Sequence, residues 1–157
     1  MATGSAKRRA TGLRLRVAAV AGMAALAPIA ALSIPAPTST APTSTVQGVY
    51  TAEQASEGAA LYAGQCAMCH GKALEGTLEN PALTGRFLGN WGHAPLADLF
   101  DYIGRAMPQM APGTLPPASN ARIIAYLLQQ NGMPAGKTPL PADSAALKTI
   151  MLDPAKR

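Results

Sequence analysis

Residues 66–70 read CAMCH, and Cys66 and Cys69 are the only cysteines in a chain of 157 residues. His70, one of two histidines, follows them directly. Three chemistries use such a set. A Cys-x-x-Cys pair can cycle between dithiol and disulfide when a helix N-terminus depresses a thiol pKa. Cysteine and histidine can close a structural zinc site when four ligands converge. Cys-x-x-Cys-His can also hold haem covalently, through two thioethers on one porphyrin edge with the histidine beneath the iron.

The surroundings separate these readings. Helical periodicity lies before the motif, not after it, and no βαβ pattern surrounds it, which disfavours the dithiol. Zinc would need His93 as a fourth ligand, and Cys66, Cys69 and the adjacent His70 converge poorly on one tetrahedral ion. Haem suits the spacing, because cysteines three apart on a helical turn face the same way. Aromatic residues are only 4% of the chain. A bulky apolar cofactor would supply core volume that so few large side chains cannot.

The elements that must position the motif are helical. Thr51 offers an N-cap, with Gln54 three residues on to complete a capping box. The helix that follows, AEQASEGAALYAGQ, puts Ala55, Gly58, Ala59 and Tyr62 on one face, small enough for another helix to approach closely. Residues 71–95 contain five glycines and two prolines and read as a loop. A loop of that length in a compact domain implies that it wraps something. Leu96, Leu99, Phe100 and Ile103 follow the i, i+3, i+4, i+7 stripe of a helix that Pro108 stops near Arg105. MPQMAPGTLPP is a second loop. ASNARIIAYLLQQNG forms a closing helix with Ile123, Tyr126, Leu127 and Gln130 on one face and Gly132 as its stop. A short helix fits near residues 144–151. No strand pairing is evident, so the fold class is all-α, with three to five helices.

The formal charge of +5 is misleading. Of the thirteen Lys and Arg, five lie in residues 1–35 with no acid beside them, leaving eight to face eight Asp and Glu. The excess is therefore confined to the leader and does not argue for nucleic-acid binding. That leader runs from a basic stretch through an 18-residue apolar run, residues 17–34, to small residues and prolines, the layout of an export signal. The run is Ala-rich and interrupted by Pro28, which favours cleavage over retention as a membrane tether. The expected organisation is a signal peptide or anchor over 1–35 and a Pro/Thr/Ser linker over 36–49, built on the repeat APTSTAPTST. A folded domain over 50–135 and a tail over 136–157 follow.

Residues 50–135 resemble a class I (monohaem) c-type cytochrome. GAALYAGQCAMCHG is similar to the first helix and haem motif of that family, NPAL to the loop whose proline carbonyl orients the haem histidine, DYIGRAMPQMAPGTL to the methionine-ligand loop, and IIAYLLQQNGMPAG to the closing helix. The MPxxxPGxL and AYLLxxNGxPAG patterns are similar to cytochromes paired with quinoprotein dehydrogenases. The resemblance implies a small cytochrome c fold around one covalently bound haem c per chain. It implies thioethers at Cys66 and Cys69, His70 as proximal iron ligand, Pro81 offering its carbonyl to His70, and Met107 as distal ligand, with Met110 in reserve. Trp91, Arg86 and Tyr102 become candidates to pack on or hydrogen-bond the propionates, and His93 a solvent-facing loop residue. In one departure, Pro116 stands where such chains usually cap the last helix with Ser or Thr, although Pro117 suits a first helical turn.

The implied function is single-electron transfer, not enzymatic turnover. The carrier would be exported to the periplasm, soluble or anchored through residues 17–34. Its partners would be redox proteins: a dehydrogenase, a terminal oxidase or another cytochrome. The competing reading is a peroxidase-like haem enzyme with an open sixth position, which requires that neither Met107 nor Met110 bind iron.

Overall fold

A computed structural model of the chain describes residues 44–154. The leader and the first part of the linker lie outside the described residues, and so does any membrane tether in them. Among the described residues no helix is long and apolar enough to cross a membrane.

The scaffold is a crossing of two fourteen-residue helices, α1 (Ala52–Gln65) and α5 (Pro117–Gln130). Thr51 Oγ1 accepts a hydrogen bond from Gln54 N at 3.2 Å, which starts α1. Ala55, Gly58 and Tyr62 form its buried face. Gly58 is where the backbones meet, since a Cβ there would collide with the Arg122 carbonyl. Beside that contact the rings of Tyr62 and Tyr126 sit 5.4 Å apart, tilted by 48°. Helix α5 begins on Pro116 with no side-chain cap, and Pro117 fills its first turn. Its face differs in one position from the sequence pattern. Ile123 and Leu127 are buried with Ile124 and Leu128, but Gln130 points to solvent, because the helix leaves the core in its last turn.

Helix α4 (Leu96–Ala106) buries Leu96, Ala97, Leu99 and Phe100. Asn120 ties α5 to it, donating from Nδ2 to Phe100 O at 2.7 Å. Three one- or two-turn helices complete the set: α2 (Ala67–His70), α3 (Arg86–Trp91) and α6 (Ser144–Leu147). The described residues thus carry six α-helices, where the sequence suggested three to five, because these short turns carry too few residues to show a hydrophobic period. Helix α3 interrupts what reads in sequence as continuous loop. The all-α class stands: among the described residues, β-pairing is limited to two isolated bridges at Met151.

Described residues on both sides of 50–135 pack against it. Residues 44–49, assigned to the linker, include a short 3-10 turn (Thr45–Gln47), and Thr45 and Val49 are buried. Residues 136–152, assigned to a tail, form a strap. Tyr50 OH donates to Met133 O and Gly136 N to Tyr50 O, both at 2.6 Å. The Gln54 amide, expected to complete the capping box, clamps Leu140 instead, donating to its carbonyl at 2.9 Å and accepting from its N–H at 2.7 Å. From the last residue of α6 onward, Leu147, Ile150 and Leu152 enter the core. The strap then bonds to residues 93–96 on one side and to Thr45 on the other.

Candidate cofactor-attachment site

Helix α1 ends as the backbone turns at Cys66, whose N–H still bonds Tyr62 O at 2.9 Å. The chain re-coils at once into α2. His70 N and Cys69 N both donate to Cys66 O, at 2.9 and 3.1 Å. This single turn carries the whole motif, and Gly71 ends it at φ 81°. Both cysteines are half-buried with their sulfurs free, while His70 is buried. Burial, with Cys69 adding a smaller effect, pushes the Cys66 thiol up to about 11. A thiol so raised is protonated at neutral pH and is a poor redox nucleophile. Among the described residues no three His, Cys, Asp or Glu side chains are grouped to hold a bare metal ion.

The His70 ring is oriented from the loop that follows. Its Nδ1 lies 2.9 Å from the carbonyl oxygen of Pro81. A carbonyl only accepts, so Nδ1 carries the proton, and Nε2 keeps its lone pair for another partner. Several bonds hold that loop in place. Tyr62 OH donates to Gly71 O at 2.7 Å, and burial raises the Tyr62 pKa far above its ordinary value, keeping the hydroxyl a donor. Gly76 N returns to His70 O at 2.8 Å. Gly76 has φ 74° and lies so close to the 80–82 backbone that no Cβ fits. Leu74 is buried in spite of φ 62°, a conformation that disfavours a leucine. Leu83 N bonds Leu74 O at 2.9 Å and closes the loop. Asn131, at the end of α5, donates from Nδ2 to Leu83 O at 2.9 Å and to Leu127 O at 2.8 Å.

The second loop follows α4. Met107 N bonds Ile103 O at 2.9 Å, and its side chain is half-buried. Met110 is 81% exposed. Trp91 and Tyr102 meet at 5.2 Å, and the Arg105 guanidinium sits 5.6 Å above the Tyr102 ring. Arg86, at the exposed start of α3, does not join that stack. His93 is 79% exposed and lies 3.3 Å from Asp153 Oδ1 at the surface, where the strap meets residues 93–96. The residues that sequence reasoning misses are Leu83 and Asn131. Asn-Gly at 131–132 reads as a helix stop, and that local signal gives no hint of the bond to residue 83.

The donor set fits a covalently attached haem. Two uncommitted thiols stand three residues apart, and an adjacent imidazole presents Nε2 with its tautomer fixed by the Pro81 carbonyl. The match to a protein-family model points the same way. Residues 53–127 match the family described as cytochrome c oxidase, cbb3-type, subunit III. The chain is also similar, at 23% identity and a TM-score of 0.45, to the structure titled "Crystal Structure of the Sulfane Dehydrogenase SoxCD from Paracoccus pantotrophus". That similarity covers 69% of this chain and 62% of that one. No curated protein matches the sequence.

Proposed function

We propose that residues 53–127, which match the family described as cytochrome c oxidase, cbb3-type, subunit III, form a class I c-type cytochrome domain, and that the whole chain is an exported single-haem carrier of electrons between redox proteins. The observation that carries the reading is the His70 ring, buried in the CAMCH turn with Nδ1 held by Pro81 O. Haem c supplies one-electron chemistry at its iron when bound. The chain supplies attachment, orientation and shielding. Cys66 and Cys69 provide the thioethers, and His70 Nε2 the proximal ligand. The Pro81 carbonyl draws on the Nδ1 proton and makes the imidazole a stronger ligand. Met107 is the distal ligand. Its half-buried position at the end of α4 supports this choice over Met110, whose side chain is in solvent. His70 and Met107 together would hold the iron closed to small substrates, which suits electron transfer over turnover.

The leader supports export to the periplasm, where the linker gives reach if the apolar run is retained as a tether. The donor is a quinoprotein-type dehydrogenase, which the MPxxxPGxL and AYLLxxNGxPAG patterns support, and the electron continues to the respiratory chain. The oxidase named in the description of the matched family supports that direction.

The test is haem staining of the protein after denaturing electrophoresis, with an optical spectrum and the mass of the native chain. Retained stain, a low-spin spectrum and an N-terminus between Ile34 and Gln47 are expected. Two titratable free thiols would overturn the assignment. A high-spin, five-coordinate spectrum with rapid peroxide turnover would instead make the protein a haem enzyme.

A further inference from the structure

The Pro81 carbonyl can orient His70 only if the loop carrying it is itself fixed. The turn from Thr77 to Asn80 is closed by Thr77 N to Asn80 O at 2.8 Å and Asn80 N to Thr77 Oγ1 at 3.2 Å, both local contacts within an exposed tip. Pro81 has no N–H with which to anchor itself, and its side chain is exposed. On its C-terminal side, Leu83 is held on both backbone groups. Its N–H donates to Leu74 O, and its carbonyl accepts from Asn131 Nδ2. Leu74 is a weak anchor by itself, because its positive φ is a strained conformation for leucine and depends on neighbours to persist. Among the described hydrogen bonds, the one from Asn131 joins residues 77–83 to the end of α5. The Asn131 amide has two N–H groups, and each has a carbonyl: Leu127 O on its own helix and Leu83 O across the gap. An aspartate of the same shape could donate to neither.

We infer that Asn131 is a positioning residue for the haem ligand His70, acting through Leu83 and the Pro81 carbonyl. This rests on the reading of His70 as the iron ligand. Without the Leu83 bond the 77–83 loop opens more often, and the Pro81 carbonyl withdraws from Nδ1 for part of the time. A less strongly hydrogen-bonded imidazole donates less charge to the iron, which favours the reduced state.

Asn131→Asp and Asn131→Ser test this on the intact haem-loaded protein. The serine variant is the milder one, because its single hydroxyl proton can serve the Leu127 carbonyl but not Leu83 as well. In both, the reduction potential should rise, and the His70 Nδ1 proton should exchange with solvent about three- to tenfold faster by NMR of the reduced protein. Tyr50→Phe is the control. It removes the hydroxyl's bond to Met133 O, which lies outside residues 70–83. It should lower the melting temperature and leave potential and ring-proton exchange at wild-type values. Wild-type potential and exchange in both Asn131 variants, with haem attached, would overturn the positioning role alone. Equal shifts from Tyr50→Phe would reduce Asn131 to general stability and overturn it as well. A wild-type protein that carries no covalent haem would overturn the underlying reading first.

Discussion

The segments that flank the proposed haem, residues 66–83 and 107–115, are held in opposite ways. Residues 66–83 are tied to distant parts of the chain by side chains. Asn131 reaches Leu83 across 48 positions, and Tyr62 of α1 reaches forward to Gly71. Within the segment, His70 and Pro81 are joined over eleven residues. In residues 107–115 the hydrogen bonds are short-range: Met107 to Ile103, Ala111 to Pro108, and Thr114 N and Oγ1 to Ala111. One segment is tied to the scaffold by side-chain hydrogen bonds. The other is a series of local turns held by short-range hydrogen bonds, with Leu115 buried at its end. A carrier that must hold its iron while accepting and releasing electrons gains from this division, because the proximal side fixes ligand geometry and the distal side tunes the potential.

The comparison breaks most severely at the helix crossing that supports residues 66–83. Gly58→Ala pushes a methyl group into the Arg122 carbonyl and must part α1 from α5. A loss of about 3 kcal/mol is expected from urea denaturation, enough to reduce the yield of haem-loaded protein. At the other segment, Met107→Ala should remove the weak methionine–iron absorption band. It should also lower the reduction potential, on the order of a hundred millivolts, while the haem stays attached. Met110→Ala should change neither. Identical spectra for Met107→Ala and the wild type would show that residues 107–115 do not reach the iron.

A pH series sharpens the contrast at smaller scale. Burial raises the Tyr62 and Tyr50 pKa values above the ordinary 10.0. The unfolded chain therefore loses protons first as pH rises. Stability is fully present below about pH 10 and falls above it, by up to about 1.4 kcal/mol per pH unit for each tyrosine. Tyr62→Phe should flatten that slope and lower neutral stability by about 1 kcal/mol through loss of the bond to Gly71 O. The smallest effect belongs to Arg122 and Glu57, an ion pair at 2.6 Å across the exposed edge of the same crossing. Arg122→Ala should cost no more than about 0.5 kcal/mol, and less in high salt.

The three long helices and the CAMCH turn are legible in the sequence because their signals are local. The small-residue face of α1, the stripe of α4 and the Gly132 stop of α5 each need only neighbours within a few turns. The same reliance on neighbours explains the errors. Gln54 fits a capping box by spacing, but its amide serves Leu140, 86 positions away. Residues 44–49 read as linker because Thr, Val and Gln show no period there. Thr45 is nonetheless buried, bonded to Asp153 O at 2.8 Å, 108 positions away. Helix α3 is missed because its glycine and asparagine weaken helix propensity, and tertiary packing around Phe87 overrides that preference.

What the sequence alone determines here is chemistry and period: two thiols and an imidazole on one turn, and amphipathic helices around them. Pro81 becomes a candidate only through family resemblance, and Asn131 and Leu83 not even then. The tertiary structure decides which carbonyl fixes the His70 tautomer, which amide anchors that carbonyl, and that residues 44–49 and 136–152 pack against the helices. The physical reason is that a hydrogen bond between residues 83 and 131 depends on how α1 and α5 cross, and so on Gly58 and the tyrosine pair beside it. No spacing within either segment carries that information.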